Sequence, residues 1–197
     1  MQRPCHAAGS RSLTVDGMRS LLAVVAILAG VQFAVSSPAS ADSDTLKDPD
    51  APGETANTTA VRVDHYAESS GKSGRVKVVV WAGTVDFGDR FEVWIDTPGS
   101  TNPRYYARIY PQAGYGAVLA VEGWKTSGKA ACQRWDAHLA TGADKKATFS
   151  IPRSCVGAPT KVRVATRALY FRDGQKIRDW TRDAKTFGAW VAVSSAA

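Results

Sequence analysis

The chain has 197 residues, 44% of them hydrophobic and 22% charged, with a formal charge of +7 and three cysteines. That composition is globular, neither collagen-like nor disordered. The length suits one ordinary domain and argues against a multidomain enzyme.

Arg19 precedes an apolar run from Leu21 to Val35, which gives way to Ser36-Ser37-Pro38-Ala39-Ser40-Ala41 and then Asp42. A basic flank, an apolar segment of about fifteen residues and a small-x-small exit are the marks of a secretory signal peptide. Ala39 and Ala41 fit the −3 and −1 positions, which places cleavage after Ala41 and makes residues 1–41 the signal. A membrane-spanning helix, the competing assignment, needs roughly 20 apolar residues. Starting at Met18 would give a compact signal from Met18 to Ala41, so Met18 is the expected true start. The product expected after cleavage is secreted, extracellular or wall-associated, with no integral membrane segment. It retains Cys132 and Cys155. In an oxidising compartment two thiols have one intramolecular pairing, and a bridge closing that loop stabilises by about 3 kcal/mol.

Residues 42–60, DSDTLKDPDAPGETANTTA, hold five acids, one lysine and no apolar period, and read as an acidic, extended lead-in, a loop or partly disordered segment. From there the period becomes two, and residues 61–197 read as a single β-sandwich domain. Runs begin at Val61, Arg75, Phe91, Tyr105, Ala117, Trp135, Ala147, Lys161 and Ala189, separated by turn clusters such as Thr97–Pro103 and Asp173-Gly174. Eight or nine short strands rich in β-branched and aromatic residues, with no helical period, predict an all-β antiparallel sandwich. Alternation points Phe91, Val93 and Ile95 at the core and Glu92, Trp94 and Asp96 away from it. If the strands are neighbours, one sheet face carries Trp81, Trp94, Tyr106 and Tyr110 among Glu92, Asp96, Arg108 and Arg163.

At FEVWIDT (91–97), IPRSCVGAPTKVRV (151–164) and DWTRDAKTFGAWV (179–191) the sequence resembles a group of small secreted actinobacterial proteins. The resemblance covers most of residues 45–192, and the cysteine pair falls inside its pattern. That group is remotely similar to DOMON-like sandwiches and family-nine carbohydrate-binding modules, which implies a sandwich fold and says little of a ligand.

Four side chains are the candidate carbohydrate-binding residues: Trp81, Trp94, Tyr106 and Arg108. Sugar rings stack their C–H faces on aromatic rings while guanidinium groups hydrogen-bond hydroxyls. The competing account is that this face packs beneath a loop or against the other sheet. Asp48 and Asp50 are hard oxygen donors suited to calcium, the one cofactor the sequence suggests, but their spacing is not that of an EF-hand. A solvated acidic segment is the alternative for them.

Residues 55–197 carry nine more basic than acidic side chains, eight of the basic ones between Lys161 and Lys185. Such a surface favours a polysaccharide or anionic wall polymer. No nucleic-acid-binding signature accompanies the charge. No nucleophile motif is present, and His65 and His138 are the only histidines after Ala41, so the chain reads as non-catalytic. Two alternatives stand beside carbohydrate binding. One is a protein-interaction or inhibitor domain using the 97–103 loop, and the other is a glycan hydrolase in which Glu92, Asp96 and Asp64 converge.

Overall fold

The computed structural model describes residues 43–48, 57–68, 72–110, 116–133, 135–140 and 145–194. The signal assignment and Asp50 lie outside them. Two antiparallel sheets hold twelve strands among the described residues. The first sheet comprises β1 (Ser43–Lys47), β2 (Thr58–Tyr66), β3 (Arg75–Ala82), β8 (Asp136–Ala140) and β9 (Lys146–Pro152), in the order β1-β2-β3-β9-β8. The second comprises β4 (Arg90–Asp96), β5 (Tyr105–Ile109), β6 (Gly116–Ala120), β7 (Lys129–Cys132), β10 (Lys161–Arg172) and β11 (Gln175–Trp180), in the order β11-β10-β4-β5-β6-β7. The short β12 (Val191–Ala192) pairs with the start of β10.

Period-two alternation builds the core as the sequence predicts. Val61 and Val63 of β2 and Val76, Val78 and Val80 of β3 point inward. They meet Phe91, Val93 and Ile95 of β4 and Val162 and Val164 of β10, all buried in one cluster. Aliphatic β-branched side chains suit both the pleat and the interior, so propensity and burial agree here.

The lead-in departs from expectation, because Ser43–Lys47 is an edge strand and not a loop. It pairs with β2 from Ser43↔Asp64 to Lys47↔Ala60. Main-chain hydrogen bonds to a formed neighbour hold it, which is why no apolar period announces it. The other strands missed by pattern, β7 and β11, are also short or exposed edges. The β10–β11 hairpin does carry its signal: Asp173 and Gly174 both adopt positive φ, 51° and 74°, the requirement of a two-residue type I′ turn.

Several links tie the two sheets together. Cys132 at the end of β7 is bonded to Cys155 in the 3₁₀ turn Arg153–Val156 that follows β9, with Cα atoms 5.2 Å apart. On another edge, Ser194 after β12 pairs in parallel with Tyr66 of β2. Its N–H donates to the His65 carbonyl at 2.8 Å. The Thr58 N–H donates to Asp179 of β11 at 2.5 Å. His65, at the end of β2, is buried: Nδ1 lies 3.3 Å from the Val191 carbonyl, and Arg153 Nε donates to Nε2 at 3.1 Å. Arginine is donor-only, so Nε2 accepts and Nδ1 carries the proton toward Val191. His65 is a structural latch between β2, the 3₁₀ turn and the C-terminal segment.

Candidate functional site

The outer face of the second sheet holds three of the four aromatic-face candidates, and it is covered. In register, Trp94 of β4 lies opposite Tyr106 of β5 and Ala165 of β10, Glu92 lies opposite Arg108 and Arg167, and Asp96 lies opposite Arg163. Trp94 is 1% exposed and Tyr106 0%. The segment after β6 folds over them: Trp94 Nε1–H donates to the Lys125 carbonyl at 3.2 Å, and Trp124 stands 5.9 Å from the Trp94 ring. Trp180 stacks on Trp94 at 5.1 Å, and Phe187 packs on Trp124 at 4.9 Å.

Charge is interleaved with these rings. The Arg167 guanidinium sits 5.0 Å from the Trp94 centroid and 5.1 Å from that of Trp180. Arg163 sits 4.6 Å from both Phe187 and Trp190. Each arginine also answers a fully buried carboxylate. Arg167 Nε donates to Glu92 at 2.7 Å, and Arg163 Nε donates to Asp96 at 2.8 Å. Tyr106 donates its hydroxyl to the other Glu92 oxygen at 2.5 Å. Arg90 Nε lies 3.0 Å from that same oxygen but off the hydrogen-bond axis, so this contact is ionic rather than directed. Burial, and then the Glu92 charge, hold the Tyr106 phenol well above its usual range. A buried carboxylate without such partners would be strongly destabilising. With them it fixes the register of β4 against β5 and β10.

This arrangement corrects the sequence reading. Trp94 and Tyr106 form an internal layer beneath the 121–128 segment and residues 180–190, so neither ring face is open to a sugar. Arg108 remains half-exposed at the strand end, its guanidinium 5.4 Å from the Tyr110 ring. Trp81 is not on this sheet at all, because β3 belongs to the other one. Nor do the three acids of the hydrolase alternative converge. Glu92 and Asp96 lie under the second sheet's cover, while Asp64 lies on the outer face of the first. Asp48 closes the β1 edge with its N–H on the Thr59 carbonyl at 3.2 Å. Among the described residues no three His, Cys, Asp or Glu side chains group to hold a metal ion.

The first sheet's outer face is the open one. Here the outward positions of β2, β3 and β9 line a shallow groove of about 250 Å³. Trp81 and Lys146 are cross-strand partners at one end, and Tyr66 and Arg75 are partners at the other. Between them stand Arg62 opposite Val79, and Asp64 opposite Lys77. Tyr66 is 41% exposed. Arg62 Nε donates to Asp64 at 2.8 Å, a contact that raises the arginine's pKa. Partial burial, and then Asp64, raise that of Tyr66. Asp64 thus sits at the groove floor and orients the two side chains that flank it.

Sequence reasoning named Trp81 but placed it on the wrong face, and it passed over Tyr66. The period-two run from Val61 was the available signal, since Arg62, Asp64 and Tyr66 fall on its outward positions. Comparison with models of known protein families and with curated protein sequences gives no match.

Proposed function

We propose that this chain is a secreted, non-catalytic β-sandwich protein that binds an extracellular or cell-surface carbohydrate on the outer face of its five-stranded sheet. The observation that carries this reading is the open groove with Trp81 at one end and Tyr66 at the other. Such rings offer apolar platforms for sugar C–H faces, and the polar side chains between them suit hydroxyl recognition. The test is affinity electrophoresis of the purified protein through gels containing soluble polysaccharides. Retardation by at least one of them, abolished in Trp81→Ala and weakened in Tyr66→Ala with the folding transition unchanged, is the expected result. Retardation that persists in both variants would remove the groove from the account.

A second reading, a protein-interaction domain, is favoured by one observation. Phe87 is 87% exposed at the tip of the β3–β4 connection, and a buried clamp holds that connection. Arg172 reaches Asp89 at 2.8 Å and Thr84 at 3.0 Å, and Asp89 also accepts the Asp86 N–H at 2.7 Å. An ordered loop that presents an apolar ring to solvent suits an anchor residue for a partner's pocket. The 97–103 loop fits that role less well: Thr97 and Pro103 are buried at its base, and Ser100 and Asn102 bond each other. Phe87→Ala abolishing capture of a stoichiometric partner from culture fluid, with groove variants without effect, would favour this reading over the first.

A further inference from the structure

We infer that the ligand of the first sheet's outer face is a linear polyanionic glycan, its carboxylate or phosphate groups spaced along a chain that runs parallel to β3. This rests on the reading of the groove as a carbohydrate site, and it specifies charge and length.

Charge comes from the strand register. Arg62, Lys77, Arg75, Lys146 and Lys47 all fall on outward positions of adjacent strands. Among the described residues the carboxylates on outward positions of this face are Asp64 and Asp136. Asp64 is only 4% exposed and tied to Arg62, and Asp136 is tied to Arg75. Lys77 forms no ion pair among the described residues. Among the described residues an incoming chain therefore meets five outward cations against two carboxylates, with Lys77 outside any ion pair, next to two aromatic rings. A neutral sugar would need only the rings and hydroxyl partners.

Length comes from strand geometry. Lys77 and Trp81 are four residues apart on β3, about 13 Å, and Arg75 and Trp81 are six apart, about 20 Å, at the usual rise. A row of outward side chains of that extent, with the groove lined from Lys77 to Trp81, suits an extended chain and would leave most of a single sugar in water. Arg75 and Lys77 lie two residues apart on one face of β3, about 7 Å, within the Debye length of about 8 Å at physiological salt, so the fields of the cation sites add. They attract spaced anions, and more salt weakens them.

The experiment is titration calorimetry of the full secreted chain with three soluble polymers at low and physiological salt. The polymers are polygalacturonate, its fully methyl-esterified form, and a poly(glycerol phosphate). Saturable binding of polygalacturonate, alone or together with the phosphate polymer, weaker by about tenfold at the higher salt and lost for a monomeric fragment, is expected. The first two polymers share a backbone and differ in charge, so the comparison does not depend on any variant folding. Lys77→Gln and Lys146→Gln should each weaken binding by about two- to fivefold, the range of exposed ion pairs, and Lys77→Arg should restore it. Equal affinity for the methyl ester, or binding insensitive to salt, overturns the polyanion while leaving a Trp81-dependent carbohydrate site standing. No binding to any of the three polymers overturns the polyanion, and the carbohydrate reading is then decided by the electrophoresis with neutral polysaccharides. Response to polygalacturonate but not to the phosphate polymer names the carboxylate as the anion the site selects, whereas response to the phosphate polymer alone, which carries no sugar ring, overturns the glycan.

Discussion

Replacing Trp94 with alanine separates a core role from a ligand platform more sharply than any other substitution. The side chain is 1% exposed. Its ring lies 5.1 Å from both Tyr106 and Trp180, and its indole N–H bonds the Lys125 carbonyl at 3.2 Å. Truncating a buried aromatic of this size costs about 3–5 kcal/mol. The upper half of that range applies, because loss of the ring also removes the cation–π partner of Arg167 and leaves a carbonyl without its donor. Taking about 4 kcal/mol and a urea slope of about 2 kcal/mol per molar, the unfolding midpoint should fall by about 2 M. Trp81, half-exposed on the other sheet, should cost less than about 1.5 kcal/mol on the same scale. The assay is equilibrium urea denaturation followed by far-UV circular dichroism. A Trp94→Ala midpoint within about 0.5 M of the parent, combined with loss of polysaccharide binding, would refute the assignment of this ring to an internal layer.

Three further outcomes follow from the same geometry. Glu92→Leu strands Arg167, Arg90 and the Tyr106 hydroxyl around the vacated carboxylate position and should cost about 3–5 kcal/mol in the same denaturation assay; adding Arg167→Met should recover part of that loss, and strict additivity of the two would contradict the pair. Burial raises the phenols of Tyr106 and Tyr170. Their protonated forms favour the fold, so this contribution is complete below pH of about 10, the unfolded value, and is lost as pH rises above it. Phenolate absorbance should show these two of the six tyrosines ionising only as the fold collapses, and ionisation of all six in folded protein would contradict their burial. Cys132→Ala with Cys155→Ala should lower stability by about 3 kcal/mol, a fall in Tm of about 6–12 °C for a chain of this size; scanning calorimetry showing no fall would mean the bridge adds nothing to the junction of the sheets.

The fold was legible because its signals are local. Val61, Val63, Val76, Val78, Val80, Phe91, Val93 and Ile95 alternate in sequence and are buried in the structure. Cys132 and Cys155, the pair the sequence offered, are bonded. What escaped were strands whose stability comes from a neighbour. β1 is polar and forms by main-chain pairing with β2, and β11 is exposed along most of its length, positioned by its turn with β10. Their own side chains carry no period to read.

The site was less legible. Alternation correctly set Glu92, Trp94 and Asp96 opposite the core, and the register places Tyr106 beside Trp94. Yet facing away from one core does not mean facing water. Trp124 and Phe187 arrive from segments with no strand period, Trp190 joins them from the start of the last predicted run, and together they form a second layer over that sheet, turning an apparent platform into an interior. Trp81 shares its alternation with Lys77 and Val79, but nothing in a strand's own sequence says which sheet it joins. The sequence determined which residues alternate, which cysteines are available to pair and where charge accumulates, because these depend on neighbours along the chain. Only the tertiary structure decided which of the two outer faces stays open, because that depends on which distant loop folds back and how well its rings fit.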